Sequence, residues 1–219
     1  SRLLERAAKL SDAQGGGSVT GEAVLMSVGR RPVTDGMGLE DIGLDIRRGA
    51  VVVDEKMRTN LPGIWAAGDC TGKSLLAHSA YRMGEVAVAD MLSGGQGRDR
   101  MRYDAIPSVV YSLPEAAGVG LREADAEKAG RKVIVKKLPM QYSGRYLAEY
   151  GQDPGFGKVV IDAETRALLG VHLAGGQCSE IIWGAGALIE AEFRVDDVRE
   201  LIFPHPTVSE IVREVIWEF

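Results

Sequence analysis

The rhythm of apolar and polar positions changes partway along the chain. In the earlier part, short apolar runs at residues 23–28, 50–53 and 63–67 predict buried strands. The first is closed by the turn formers Gly29-Arg30-Arg31-Pro32 and the third by Gly68-Asp69. Then Leu75, Ala80, Met83, Val86, Ala87 and Met91 mark the apolar side of a helix that should stop at Gly94-Gly95. Ahead of all this, Leu3, Leu4, Ala7, Ala8 and Leu10 fall at roughly helical spacing before the flexible joint Gly15-Gly16-Gly17-Ser18.

Beyond the polar stretch 96–100 the pattern becomes strand-rich. Residues 108–111, 117–121, 132–138, 157–162 and 168–174 read as strands, with a helix at 122–129 between the second and third. Helices over 179–192 and 207–219 follow. Strands in succession and then helices predict an α+β domain on an antiparallel sheet. The last helix carries Val208, Ile211, Val212, Val215, Ile216 and Phe219 at i, i+3, i+4, i+7, i+8 and i+11. That single stripe requires burial against the sheet or another subunit. The expected division is an N-terminal segment 1–20, remnant or linker, then 21–102, then 103–219.

Composition narrows the function. A net charge of −5 gives no basic face for nucleic acid or an anionic membrane. No apolar run approaches the roughly 20 residues of a membrane helix, and no signal peptide is evident. Two cysteines, Cys70 and Cys178, show neither close spacing nor a metal-ligand pattern, so no metal site is expected. Sparse cysteine usage fits a reducing, cytoplasmic setting.

The sharpest local signal is Pro204-His205-Pro206-Thr207-Val208-Ser209-Glu210. Thr207 and Glu210 have the spacing of a capping box, with Pro206 and Ile211 placed as a staple, and that alone needs no function. The same geometry serves chemistry. Flanking prolines stiffen the segment around His205, and Glu210 folded back toward it would fix the imidazole tautomer for general-base work. The two readings are compatible.

Together with other segments in order, this motif resembles the dihydrolipoamide dehydrogenase family of pyridine nucleotide-disulfide oxidoreductases. The segments are Gly29-Arg30-Arg31-Pro32, Gly63-Ile64-Trp65-Ala66-Ala67-Gly68-Asp69, Leu76-Ala77-His78, Ile106-Pro107-Ser108-Val109-Val110-Tyr111 with Pro114-Glu115, Gly155-Phe156-Gly157-Lys158-Val159 and Leu169-Gly170-Val171-His172. The resemblance implies an incomplete FAD-binding α/β segment followed by a dimerisation domain. It implies that Asp69, at a strand end, holds the ribityl chain of FAD. It also implies that the helix entrance Leu76-Ala77-His78 faces the flavin pyrimidine ring. By the same resemblance His205 and Glu210 form an acid/base pair acting on the redox disulfide of the partner in a homodimer. Electrons from dihydrolipoamide, or another small dithiol, then pass through FAD to NAD. A dihydrolipoamide-bearing protein of a 2-oxoacid dehydrogenase or glycine cleavage complex would be the partner. His172, within a strand pattern, reads as structural.

The chain departs from that pattern in three ways. It has no Cys-x4-Cys, and Gly118-Val119-Gly120, Gly155-Phe156-Gly157 and Gly184-Ala185-Gly186 lack the third glycine of a dinucleotide turn. Leu113 stands where many family members have histidine. The chain is therefore expected to be a C-terminal portion, inactive by itself. A glutathione-type disulfide reductase and a stand-alone dimerisation module are the alternatives.

Overall fold

The computed structural model describes residues 4–5, 9–11 and 18–219. They fall into two compact units, Ser1–Met91 and Leu92–Phe219.

The first unit has little regular sheet. β1 (Leu4–Glu5) pairs with β4 (Val24–Leu25), β2 (Lys9–Ser11) with β3 (Ser18–Thr20), and β5 (Ile46–Arg47) with β6 (Ala50–Val51), all antiparallel. The described part of residues 1–14 is thus extended rather than helical. The rest of that segment and Gly15-Gly16-Gly17 lie outside the described residues. Residues 63–67 are not a strand either. Gly63 adopts φ +81°, Ile64 N–H donates to Leu61 C=O and Thr59 N–H to Ile64 C=O, so the run returns as a tight loop with one bridge, Arg58 to Trp65.

A 3-10 turn, Asp69–Thr71, then leads to α1 (Ala77–Leu92), whose buried side carries Met83, Val86 and Ala87. The helix also buries a carboxylate. Asp90 receives Arg58 Nε–H and Nη2–H at 2.6 Å each and Trp65 Nε1–H at 3.1 Å. The Arg58 bonds outweigh the cost of burial and hold the Asp90 carboxyl down at about 2. This clasp ties the end of α1 to the 58–65 loop.

The second unit is built on one five-stranded antiparallel sheet. Its members are β7 (Ser108–Val110), β8 (Glu115–Gly120), β9 (Val133–Pro139), β10 (Phe156–Asp162) and β11 (Leu168–Gly175), in the order β7-β8-β11-β10-β9. α2 (Glu123–Lys128) connects β8 to β9, and a 3-10 turn (Met140–Tyr142) leads into α3 (Gly144–Tyr150). α4 (Cys178–Glu190), α5 (Val195–Arg199) and α6 (Glu210–Ile216) follow β11. The α+β architecture expected from the pattern is the one observed.

One core joins the sheet to α4, α5 and α6. Val208, Ile211, Val212, Val215 and Ile216 are all buried in it. Each such side chain contributes roughly 1.5–3 kcal/mol. Gly157 on β10 makes the approach of α6 possible, because a Cβ there would sit 2.8 Å from Ile211 Cγ1. The stripe is therefore consumed by the sheet of its own chain.

α3 and α5 have no counterpart in the sequence pattern. Both are too short to show helical periodicity. α3 is set by Tyr146 and Tyr150, one turn apart and stacked with centroids 4.7 Å apart, and α5 by buried Val195 and Val198.

Candidate functional site: a histidine–glutamate pair at the entrance to α6

The turn before α6 is stiff by composition and is pinned by side chains. Prolines flank His205, with His205-Pro206 in the cis form. Thr207 Oγ1–H donates to Pro204 C=O at 2.8 Å and lies 2.8 Å from Ser209 Oγ. Ser143 Oγ–H, from the start of α3, donates to Thr207 C=O at 2.9 Å.

Glu210 accepts from both sides. Thr207 N–H donates to Oε2 at 2.8 Å, and His205 Nδ1 lies 2.9 Å from Oε1. Burial raises the Glu210 carboxyl, but the Thr207 N–H, the His205 bond and the charges of His205 and Arg213 outweigh it, so the pKa lies below the usual glutamate value. Against an ionised carboxylate, Nδ1 must carry the proton. The neutral ring then keeps Nε2 as a bare acceptor on a side chain 78 % exposed, while Glu210 is 14 % exposed. An oriented base at the surface, with its carboxylate held behind it, can take a proton from a thiol brought to Nε2.

Half of the expected capping box is present. Glu210 does accept the Thr207 N–H, but α6 opens at Glu210 and the Thr207 hydroxyl turns back to Pro204. The cause is a tight entry. Glu210, Ile211 and Val212 N–H groups bond to the carbonyls three residues earlier, so Glu210 N–H needs no hydroxyl.

The other sequence-singled residues lie in the first unit. Asp69 opens the 3-10 turn instead of ending a strand, because the 63–67 run is a loop. Its carboxylate is about half exposed, with Arg30 Nη1 at 3.9 Å. Leu76 precedes α1, and Ala77 and His78 are its first two residues, both exposed. The Asp69 turn is docked on the helix start: a Cβ on Gly68 would sit 3.5 Å from Ala80 Cβ, and Gly68 N–H meets Met83 Sδ at 3.3 Å.

His172 is a packing residue, as its strand context suggests. Its Nε2 lies 3.0 Å from Leu121 O, and burial lowers its pKa, keeping it neutral. Gly118 leaves room for it, since a Cβ there would be 2.8 Å from His172 Nδ1. Neither thiol is activated. Burial raises Cys70 and pushes Cys178 up to about 12. Two long-range contacts had no local signal. Glu115 accepts Ser179 N–H at 2.8 Å and Ser179 Oγ–H at 3.1 Å, and Ser143 reaches Thr207 across 64 positions.

Fold and site together define an α+β interface-type domain that presents an oriented proton acceptor, preceded by a smaller unit with a helix-start site. Comparison with known proteins gives that class its family. Residues 106–216 match the pyridine nucleotide-disulphide oxidoreductase dimerisation domain, and residues 5–84 match the pyridine nucleotide-disulphide oxidoreductase model. The chain belongs to the pyridine nucleotide-disulphide oxidoreductase family. Dihydrolipoyl dehydrogenase of Thermus scotoductus is 43% identical over 208 residues, covering 94% of this chain and 44% of the relative. That of Trypanosoma brucei brucei is 41% identical over 197 residues, covering 88% and 40%. Among solved structures, LpdA from Mycobacterium tuberculosis matches with a TM-score of 0.83 at 26% identity, over 98% of this chain and 48% of that one. The HOCl-induced flavoprotein disulfide reductase RclA from Escherichia coli, solved as a Cu(II) complex, matches at 0.82 and 25% identity, over 98% and 49%. The chain thus spans less than half the length of these relatives.

The family uses FAD and NAD(P). The first unit fits one half of a flavin. Asp69 offers exposed acceptor oxygens for a polyol, and α1, sixteen residues long, presents its positive end beside them. No Gly-x-Gly-x-x-Gly turn is present in the sequence to receive a pyrophosphate.

Proposed function

We propose that this chain is the C-terminal part of a dihydrolipoamide dehydrogenase, with His205 and Glu210 as its acid/base pair and a homodimer as its working form. The observation that carries the reading is the 2.9 Å contact of His205 Nδ1 with a Glu210 held ionised, which leaves Nε2 outward. In the dimer His205 faces the redox disulfide of the partner. Nε2 removes a proton from one thiol of the dihydrolipoyl group, and Glu210 holds the imidazolium that forms. The thiolate attacks one disulfide sulfur, the S–S bond breaks, and the other sulfur leaves as thiolate. The second substrate thiol closes the lipoyl disulfide, leaving the enzyme dithiol reduced. Asp69 and the Leu76-Ala77-His78 helix start would hold the ribityl chain and ring of FAD. When bound, FAD supplies the transfer of the electron pair to a nicotinamide. The dihydrolipoyl group would be carried by a 2-oxoacid dehydrogenase or glycine cleavage complex.

The test is His205→Gln in the full-length enzyme. Lipoamide turnover should fall by about 10²–10⁴, the usual worth of a positioned acid/base. Near-normal turnover in that variant overturns the assignment. A second reading, a dimerisation module acting without catalysis, is favoured by the second unit's self-contained core.

A further inference from the structure

We infer that Ser143 is a positioning residue for His205, acting through the backbone of Thr207 and the carboxylate of Glu210. This rests on the acid/base reading of the pair and extends it to a residue 62 positions away in sequence.

Four observations carry the inference. Ser143 is buried, with 1 % of its surface exposed. Its hydroxyl oxygen accepts Tyr146 N–H at 3.2 Å, capping α3. Its one proton goes to Thr207 C=O at 2.9 Å, and a carbonyl can only accept. The peptide unit so held is part of a residue whose own N–H fixes Glu210 Oε2, and Glu210 Oε1 fixes His205 Nδ1. Ser143, Thr207, Glu210 and His205 therefore form one chain of contacts running from a buried hydroxyl to an exposed ring.

The physical need is clear from the exposures. His205 lies largely in solvent, and the packing nearest to it comes from Phe203 before the turn and from buried Val208 within it. Hydrogen bonds within 204–210 hold the turn's shape, but they do not hold it to the body of the domain. The Ser143 bond does, and it arrives from an element distant in sequence. Without it Thr207 can shift its carbonyl outward to water, taking its N–H off Glu210. Oε2 would then compete for other donors, and Oε1 would no longer be aimed at Nδ1. The ring would lose its preference for carrying the proton on Nδ1, the form that leaves Nε2 as the base.

The measurement is the ratio of Nδ1–H to Nε2–H tautomers of neutral His205, read by ¹⁵N NMR on the full chain at high pH. Three histidines keep the assignment simple. Ser143→Ala should lower that ratio about fivefold, the change one ordinary hydrogen bond supports. Ser143→Cys, a weaker donor of similar size, should fall between the two and serves if the alanine variant does not fold. Arg145→Gly loosens α3, where Arg145 pairs with Glu149, without touching Ser143, and should leave the ratio unchanged. An unaltered ratio in Ser143→Ala overturns the inference, as does an equal change in Arg145→Gly. If the alanine variant is unfolded, a wild-type ratio in Ser143→Cys does the same. Because no turnover is read, the result stands apart from the lipoamide test of His205→Gln.

Discussion

At the scale of single residues, the protein separates groups with similar chemistry by what surrounds them. His172 and His205 each set a ring nitrogen against an oxygen, but one donates into a carbonyl within the sheet domain and the other looks out with a carboxylate behind it. Glu210 is the residue that makes the difference, and its charge has a thermodynamic signature. Its folded pKa lies below the unfolded value, so the ionised form is favoured by folding. That contribution is complete above the ordinary glutamate range and disappears as pH falls through the lowered folded value. Glu210→Gln should therefore lose less stability than the parent when pH is dropped from neutral to about 3, measured by denaturant unfolding at each pH. An identical pH dependence would show that the carboxylate is not held as described. The motif itself was legible, since Thr207 and Glu210 stand three apart ahead of an apolar stripe. The direction of the Thr207 hydroxyl was not, because it depends on how tightly the chain enters the helix.

At the scale of elements, α6 illustrates how a local pattern and a distant gap combine. Its four buried aliphatic residues, with Val208 just before them, are plain in the sequence, and so is the need to cover them. What they rest on is decided by Gly157, more than fifty residues earlier, which lets Ile211 sit against β10. Gly157→Ala should cost about 1–3 kcal/mol, the usual range for overpacking a filled core, measured by urea unfolding of the chain. A loss within a few tenths of wild type would mean that α6 can ride outward at no cost. The same scale shows where periodicity fails. Residues 63–67 are apolar and strand-like, but Gly63 at positive φ turns the chain before a ladder can form. α3 is a single pair of tyrosines over two turns, and such an element becomes visible only when both rings are seen to face one core.

At the scale of the whole molecule, the two units carry different parts of the proposed activity. The Asp69 turn and the α1 start lie in the first, and His205 with Glu210 in the second. Two measurements address them separately. Light scattering after size exclusion should give a dimer at micromolar concentration, as the dimerisation-domain match leads one to expect; a strict monomer would count against it. Incubation with FAD followed by desalting tests the half-site in the first unit. Retained visible flavin absorption is the expected result if Asp69 and the helix start suffice, and a colourless protein would show that the pyrophosphate turn is indispensable.

The sequence by itself determined the class of the second unit, the order of its five strands and its longer helices, and the His205–Glu210 pair, because each is written in short-range spacing. Periodicity of two and of 3.6 fixes which face of an element is apolar, and a five-residue separation across a proline turn places an imidazole beside a carboxylate. Tertiary structure alone decided that the α6 stripe is spent on its own sheet, that Glu115 caps α4, and that Ser143 holds the turn beneath the histidine. Those are contacts between positions 40 to 70 residues apart. Nothing in local spacing encodes such a contact, because it exists only once the sheet has brought the two segments within hydrogen-bond reach.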